Sequence, residues 1–302
     1  MNLLNLLIVK LAQILPKSFI KLFASRYIAG EYLSDGVRVV KELNSKQILA
    51  TMDVLGEDTT QISEATESTN EAIDVLKKIA NEKLGSTLSV KLTQLGLKLS
   101  YDICLKNMKL ILDVAKETDN YVEIDMEDSS CTYDTVRLYK ELRRSYSNCG
   151  MVMQAYLRDG ENIFKGALKE LSGSSVRLCK GIYNEKEEIA YKGKQEIRDN
   201  FIQLLDFLFQ NNIYVGIATH DLYLVNSSKQ LIKKYNKSFK EFEFQMLLGV
   251  KVDLRDQLVE EGYKVRIYVP FGTQWYKYSM RRMKENPDLV KNIALNIFAK
   301  RS

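Results

Sequence analysis

The sequence predicts an α/β fold, a closed (βα)8 barrel of the TIM type with a helical arm before it and a further helix after its last strand. Eight short, β-prone apolar runs alternate with longer segments of helical periodicity after residue 45. A doubly wound open sheet is the alternative, but the first run ends VLGED, without the glycine-rich phosphate turn typical of that fold. The number of units and this missing turn favour the barrel.

The elements follow one another in a regular order along the chain. The first strand is expected at 48–56, and the helix after it at 58–84 opens with residues of the capping type. The other strands are expected at 86–96, 121–127, 151–156, 175–183, 213–220, 242–249 and 263–272. A last helix begins near Gln274, after Gly272 and Thr273 end the eighth strand. We therefore expect a helical arm over 1–45 and one barrel domain over 46–302.

The arm is the most basic part of a chain whose net charge is +5. Residues 1–30 contain Lys10, Lys17, Lys21 and Arg26 and no acidic residue. The run MNLLNLLIVKLAQIL places leucine and isoleucine on one side of a helix that is too short to span a bilayer. This helix either lies on an anionic membrane surface or packs its leucines on the barrel. The basic excess is not spread over the body, so nucleic acid is not an expected partner.

Cysteine and histidine usage excludes several kinds of site. The single histidine, His220, rules out a histidine-rich metal centre, and the four cysteines form no CxxC pair. A disulfide scaffold and a structural zinc site are therefore not expected, and a reducing compartment is favoured. No bound metal is predicted.

Polar residues near the carboxyl ends of the strands are the candidates for function, because that end of such a barrel holds the active site. Lys91, Asp125 and Arg177 each lie between two apolar neighbours in a predicted strand. Pointing inward, they would be dehydrated and would have to pair, because an unpaired buried charge is costly. The alternative is that each points outward and extends past its neighbouring helix. The same filter selects Glu57, Glu127, Gln154, Lys180, Thr219, His220, Gln245 and Tyr268.

The stretch YVPFGTQWYKYSMRRMKENP predicts an anion site at the barrel mouth. Tyr278, Arg281, Arg282 and Glu285 are three or four residues apart and share one broad face of the last helix. Two guanidinium groups offer forked donors suited to a carboxylate. The alternative, a solvated basic helix end, is favoured less once Lys91, Asp125 and Arg177 are taken into account.

The ordered pieces DVLGE, SVKLTQLG, IDMED, MVMQAY, RLCKGIY, ATHD, FEFQMLLG and RIYVPFGTQWYKYSMRRMKEN resemble the proline dehydrogenase family over nearly all of residues 46–286. The match is to its short, monofunctional bacterial members. The resemblance implies an FAD-dependent barrel that oxidises L-proline to 1-pyrroline-5-carboxylate, the first step of proline catabolism. Electrons would then pass to a membrane quinone.

Site roles also follow from the resemblance. Arg281 and Arg282 would bind the substrate carboxylate. Lys91, Leu247, Tyr268 and Tyr278 would surround the proline ring, and Asp125 would support the site by hydrogen bonding. Glu57 would pair with the first arginine to gate the pocket, and Glu285 would brace the helix. On the cofactor side the resemblance implies Gln154, Arg177, Lys180, Gly181, Thr219 and His220.

Two other functions remain open at this point. One is flavin-dependent oxidation of hydroxyproline or another cyclic amino acid, although the large Tyr268 favours proline. The other is a barrel that binds an anionic metabolite without catalysis. Departures from the family pattern at Ile182 and Asn184 bear on the pocket. We expect a cytoplasmic protein, peripheral on the inner face of the cell membrane, with a pyrroline-5-carboxylate dehydrogenase acting downstream.

Overall fold

Eight parallel strands close into a barrel in chain order, from β1 to β8. The computed structural model describes residues 20–21, 24–56, 58–169, 173 and 175–285. The strands are β1 Leu49–Val54, β2 Ser86–Val90, β3 Val122–Ile124, β4 Cys149–Gln154, β5 Ser175–Cys179, β6 Tyr214–Ala218, β7 Phe242–Leu247 and β8 Val265–Phe271. Because β8 pairs in parallel with β1, the sheet has no free edge, and the predicted barrel is confirmed over the open-sheet alternative.

A helix follows each strand, as predicted, and in the described part of the chain a helix over 33–44 directly precedes β1. The helices are α1 Leu33–Asn44, α2 Ile62–Asn81, α3 Tyr101–Glu117, α4 Ser129–Arg143, α5 Gly160–Lys169, α6 Lys194–Gln210, α7 Leu222–Lys234, α8 Val252–Glu260 and α9 Trp275–Glu285. Several begin at a side-chain cap. Ser100 accepts the N–H of Ile103 at the start of α3, and Asp221 accepts the N–H of Tyr223 at the start of α7.

The strands bury both of their faces, but the two faces differ in chemistry. Outward residues such as Leu88 and Ile124 join Met108 and Ile111 of α3 in a continuous apolar core between strands and helices. The inward faces instead hold many polar side chains, among them Thr51, Ser89, Glu123, Arg177, Glu243 and Gln245. The outer core thus supplies the apolar burial that stabilises the fold, and the interior of the barrel is left for charged and polar groups.

Helix α1 packs along β1 and β8 and closes the outer layer at the seam of the barrel. Its residues Val37, Val40 and Leu43 belong to the apolar core. Gly36 lies so close to the sheet that a Cβ atom there would be 2.7 Å from Met52 Cε and 3.0 Å from the ring of Phe271. Part of the segment 1–45 therefore packs on the barrel, and the domain boundary at residue 45 stays a prediction.

Helix α9 occupies the mouth of the barrel. The buried ring of Tyr278 clusters there with Ala24, Ile28 and Leu55. Gly272, with a φ of 138°, makes the turn between β8 and α9, and its N–H donates to the carbonyl of Gly30. The predicted helix with the arginine pair is thereby placed beside the carboxyl ends of the strands.

Seven of the eight strands are shorter than the sequence indicated, among them the strands that precede Lys91 and Asp125. The predicted strand 86–96 ends at Val90, because residues 92–99 form consecutive turns that bury Leu92, Leu95 and Leu97 beneath α3. The predicted strand 121–127 is Val122–Ile124 only. Lys91 and Asp125 consequently lie one residue beyond their strands, not within β2 or in a longer β3.

The amphipathic run over 3–15 lies outside the described residues, so its placement on a membrane or on the barrel is not tested. Residues 24–30 are described, and they run over the barrel mouth, where the N–H of Ala29 donates to the carbonyl of Pro270. In the part of the chain that the structure covers, no helix combines the length and the hydropathy needed to cross a bilayer.

The close approach of α1 predicts the effect of a substitution at Gly36. Leucine has the higher helix propensity, but its side chain would overlap the ring of Phe271, so we expect Gly36→Leu to destabilise the protein by about 1–3 kcal/mol. Urea unfolding measures this difference. In the matched control, Gly166→Ala on α5, the added Cβ meets nothing within 4 Å and stability should be unchanged or slightly higher. A Gly36→Leu protein as stable as the control would contradict the packing argument.

Candidate active site

A cavity of about 270 Å³ opens at the carboxyl ends of the strands. The predicted site residues that line it are Lys91, Asp125, Gln154, Arg177, Lys180, Gly181, His220, Leu247, Tyr268 and Tyr278. They come from the ends of seven strands, β2 to β8, from the loops after them and from helix α9, and barrel closure brings them together. Polar residues selected by their position near strand ends thus converge on one cavity, as the barrel architecture requires.

Five of the predicted residues are not among those that line the cavity, one because it lies elsewhere and four because the structure does not describe their side chains. Thr219 does not line it; its hydroxyl oxygen accepts the N–H of Asp221 at 3.1 Å. Glu57 lies outside the described residues. Arg281, Arg282 and Glu285 belong to α9, but the description does not extend to their side chains. Their roles stay predictions.

Asp125 is the centre of the hydrogen-bond network at the cavity floor. Its Oδ2 accepts the hydroxyl of Tyr268 at 2.7 Å, and its Oδ1 accepts Arg177 Nη1 and Ser89 Oγ, each at 2.8 Å. These partners come from β8, β5 and β2, and Asp125 itself follows β3. One carboxylate therefore ties together four strands, three of which are not neighbours of one another in the sheet.

Lys91 is held by two carboxylates. Its Nζ lies 2.7 Å from Asp53 Oδ1 and 3.5 Å from Asp125 Oδ2. Burial lowers the pKa of Lys91, but Asp53 and Asp125 more than offset this and raise it above its usual value. Lys91 therefore stays charged. The pKa of Asp53 is raised, first by burial and also by Asp125, against the opposing effect of Lys91.

Asp53 is a site residue that the sequence reasoning missed. It is 1% exposed, and its Oδ2 has no hydrogen-bond partner among the described residues. A signal was available, because Asp53 lies between Met52 and Val54 in an apolar strand, the pattern that singled out Lys91. The sequence reasoning also missed the inward-facing Glu123 and Glu243. Strand alternation places both on the face of their strands that carries the site, so the same signal was available for them.

Arg177 is enclosed on every side of its guanidinium group. Besides Asp125, it contacts Glu123 through Nη2, and its Nε donates to Gln245 Oε1 at 2.6 Å. Its Cζ lies 5.1 Å from the ring centroid of Tyr268. Gln245 was selected by position alone, without a role, and the structure shows it as a direct partner of Arg177.

His220 is neutral, and its tautomer follows from one hydrogen bond. The N–H of Leu247 donates to His220 Nε2 at 2.9 Å, so the ring proton is on Nδ1. Burial, followed by the nearby Lys180 and Lys251, lowers the pKa of His220 to about 4. The imidazole therefore offers a neutral N–H donor at the edge of the cavity.

One feature of the cavity wall indicates a ligand that presents an N–H group. Gln154 Nε2 donates to the carbonyl of Met126 at 3.1 Å, while its Oε1 is buried without a partner among the described residues. An unused buried acceptor of this kind suits a ligand N–H donor. Gly181, which also lines the cavity, has a φ of 96°, and a Cβ there would lie 2.2 Å from the ring of Tyr156, so glycine at this position makes room for that ring.

Lys180 is anchored at the cavity rim through Asp221. Its Nζ lies 3.5 Å from Asp221 Oδ2, and Arg198 binds the same carboxylate through two nitrogens at 2.8 and 2.9 Å. Arg198 lowers the pKa of Asp221 to about 2, so this carboxylate is ionised at neutral pH. The two cations next to it leave a positively charged rim. Within the described ranges, no group of three or more His, Cys, Asp and Glu side chains is arranged to hold a metal ion.

The pKa of His220 predicts how stability depends on pH. Its folded pKa, about 4, is below the ordinary value near 6.5, so the unfolded chain binds a proton first as the pH falls. The stabilisation is complete above pH 6.5 and is lost between there and about pH 4. Between pH 7 and pH 5 we expect the wild type to lose about 2 kcal/mol from this group.

His220→Gln keeps a side-chain acceptor for the Leu247 N–H but cannot titrate. Urea unfolding at pH 7 and pH 5 should therefore show a smaller loss for this variant. His220 is the only histidine of the chain, so no second imidazole obscures the comparison. Equal losses in the two proteins would show that His220 titrates normally in the folded state.

Comparison with known proteins agrees with this architecture. The family model described as "Proline dehydrogenase" matches residues 37–294. Proline dehydrogenase 1 of Bacillus subtilis (strain 168) is 38% identical over 268 residues, covering 88% of each chain. Proline dehydrogenase of Deinococcus radiodurans is 30% identical over 269 residues, covering 87% of this chain and 86% of the relative.

A solved structure extends the likeness to the fold. It is that of proline utilization A from Bdellovibrio bacteriovorus inactivated by N-propargylglycine, and it superposes with a TM-score of 0.82 at 26% identity. The match covers 87% of this chain and 32% of that longer one. The barrel, the cavity at its carboxyl end and the matches over most of the sequence lead to one conclusion: the chain belongs to the proline dehydrogenase family.

Proposed function

We propose that this enzyme transfers a hydride from L-proline to FAD, forms 1-pyrroline-5-carboxylate and passes the electrons to a membrane quinone. Membership of the family makes proline oxidation, the first step of proline catabolism, its reaction. The flavin and the quinone are the parts that we add. The observation in favour is a single cavity with an orphaned acceptor and a neutral donor on one side and a charged, aromatic pocket on the other.

The cofactor side of the cavity fits a flavin. Gln154 Oε1 is free to accept an N–H, His220 Nδ1 is free to donate, and Gly181 lines the same cavity. Lys180 would approach the phosphate portion from the rim, and Thr219 would lie behind it. A flavin bound here would supply a hydride acceptor, which the side chains alone cannot provide.

The substrate side fits a small cyclic amino acid. Tyr268, Tyr278 and Leu247 supply ring faces and apolar contact, and Lys91 contributes a paired charge. Arg281 and Arg282 follow Tyr278 by three and four residues on the same helix face, so we assign them to the substrate carboxylate. Fixing that end of the substrate would leave the ring carbon beside the nitrogen as the end presented to the cofactor.

Two acidic residues would support the arginine pair. We assign Glu57, three residues after the end of β1 in the sequence, to an ion pair with Arg281 that opens and closes the pocket. Glu285 follows Arg281 by four residues on α9 and would brace that helix face. Both assignments come from the family resemblance together with the position of α9 at the barrel mouth.

The reaction needs orientation and electrostatics more than acid–base chemistry from the protein. The substrate amine must be unprotonated, because its lone pair forms the C=N bond as the hydride leaves the adjacent carbon. Arg177, which lines the cavity and is held by Asp125, would supply a positive charge to stabilise negative charge on a bound flavin. The pairing of Lys91 with Asp53 keeps a second cation near the substrate without leaving it uncompensated.

The quinone and the basic arm together imply a membrane location. A lipid-soluble acceptor requires the enzyme to reach a bilayer, and residues 1–30 of the arm offer leucines and basic residues with no acidic ones. We propose a peripheral enzyme on the inner face of the cell membrane, with a pyrroline-5-carboxylate dehydrogenase as the consumer of its product.

Vesicle flotation tests the role of the arm. Residues 24–30 pack over the barrel mouth, so the deletion should remove only residues 1–19 and leave the described chain intact. We expect the full chain, but not the deletion variant, to float with vesicles that contain phosphatidylglycerol, and neither to float with neutral phosphatidylcholine. Equal flotation of the two proteins with anionic vesicles would refute the role of the arm.

The visible spectrum of the purified protein tests cofactor and substrate together. We expect flavin absorption that bleaches when L-proline is added without oxygen. Arg281→Met should abolish bleaching at ordinary proline concentrations, since the carboxylate loses a charge-assisted partner.

The control, Arg38→Met, removes an arginine on α1 that pairs with Glu42 and does not line the cavity, and it should bleach normally. Flavin absorption that proline leaves unchanged would redirect the assignment to hydroxyproline or another cyclic amine; a protein that cannot be loaded with FAD would refute it.

A further inference from the structure

Gln245 connects the site to a layer of charge deeper inside the barrel. Its Oε1 accepts Arg177 Nε at 2.6 Å, and its Nε2 donates to Glu243 Oε1 at 2.9 Å. A second carboxylate, Glu123, lies 3.5 Å from the same Nε2. All four side chains are buried within the barrel. The amide is therefore a bridge between the cation of the active site and an anion that does not line the cavity.

The orientation of the amide is determined by its two neighbours. Arg177 Nε can only donate, and the Glu243 carboxylate can only accept. If the amide were turned over, two donors would face each other at one end and two acceptors at the other. Glu243 thus dictates that an oxygen, and not a nitrogen, faces Arg177.

Glu243 itself is rigidly held. Arg266 binds it through Nε at 2.5 Å and through Nη2 at 3.2 Å, and the Tyr214 hydroxyl donates to it at 3.0 Å. Burial raises the pKa of Glu243, but Arg266 more than offsets this and keeps the pKa below its usual value. The carboxylate is ionised, so it keeps its orienting effect at neutral pH.

Gly216 provides the space that the amide occupies. It lies on β6 between the neighbouring strands β5 and β7, in register with Arg177 and Glu243. A Cβ atom at this position would be 2.3 Å from Gln245 Nε2. Any side chain here would push the amide away from its partners, so glycine at this position is part of the arrangement.

We propose that Glu243 and Gln245 are positioning residues for Arg177. The Glu243 carboxylate orients the Gln245 amide, and the amide oxygen fixes the guanidinium group beside the cofactor, with Gly216 leaving the room. The consequence for the flavin rests on the proposed function. Once the guanidinium is free to move toward Glu123 and Asp125, the reduced, negatively charged cofactor is less stabilised and its midpoint potential falls.

Two variants without a change of charge test this, Gln245→Met and Gly216→Ala. The first readout, in the FAD-loaded protein, is hydrogen exchange of the Arg177 Nε–H by NMR, with its signal assigned by comparison with Arg177→Met. We expect exchange at least tenfold faster in both variants. The second readout is the flavin midpoint potential. We expect the equilibrium constant for two-electron reduction to fall about tenfold, which corresponds to about 30 mV.

Controls separate positioning from general damage. Gly166→Ala, where the added Cβ meets nothing within 4 Å, should change neither readout. In an Arg177→Met background, Gln245→Met should lower the potential no further, because the effect passes through Arg177. Should Gln245→Met not fold, Gly216→Ala decides, since it only displaces the end of a flexible side chain.

Several results would overturn the proposal. Unchanged Arg177 Nε–H exchange in the folded variants would refute positioning. If Gln245→Met lowered the flavin potential as much in the Arg177→Met background as in the wild type, Gln245 would act by a route other than Arg177. A protein that binds no flavin would refute the proposed cofactor instead, and the exchange measurement in that protein would still decide whether Gln245 fixes Arg177.

Discussion

Asp125 and Arg177 form a 2.8 Å ion pair inside a closed barrel, and the geometry of the site depends on it. Neither charge can be hydrated there, so each needs partners that the barrel supplies from several strands. Tyr268, Ser89 and Lys91 are oriented by Asp125, while Gln245 and Glu123 complete the shell of Arg177. Removing either charge would leave the other buried and uncompensated. The arrangement of the side chains at the cavity floor therefore depends on the ion pair.

The barrel separates stability from function by strand alternation. Outward side chains form an apolar core with the helices, and that core contributes most of the free energy of folding. Inward side chains are then free to be polar, provided that their charges are balanced. Two ion pairs satisfy this condition, Asp53 with Lys91 and Glu243 with Arg266. The interior can therefore hold many charges, while the outer core supplies the apolar burial that stabilises the fold.

The two sides of the cavity differ in electrostatic character, and this suits two ligands. One side has uncharged groups with defined hydrogen-bond directions, the Gln154 oxygen and the neutral His220 ring. The other has Lys91 with its two carboxylates and the aromatic rings of Tyr268 and Tyr278. Arg177 lines the same cavity and binds Asp125, which also contacts Lys91 and Tyr268, so its position affects the charged side directly. On the proposal made above, residues below the cavity such as Glu243 would bear on the chemistry through the Gln245 amide.

How far the sequence predicts this site depends on the range of the interaction. Alternation within one strand reveals an inward charge, as for Lys91 and Arg177, and the same rule would have revealed Asp53. It does not reveal which residue faces that charge across the barrel. Two partners of Arg177 are Asp125, 52 residues away and after β3, and Gln245, 68 residues away and on β7; neither strand adjoins β5.

The sequence by itself determined the eight strand–helix units, the end of the barrel that holds the site and the family to which the chain belongs. These depend on local periodicity and on ordered motifs, which a linear chain contains in full. Only the tertiary structure decided that Asp53 pairs with Lys91, that His220 is neutral with its proton on Nδ1, and that Gly216 admits the Gln245 amide. Those facts depend on distances across a closed sheet, which arise when the strands meet and not before.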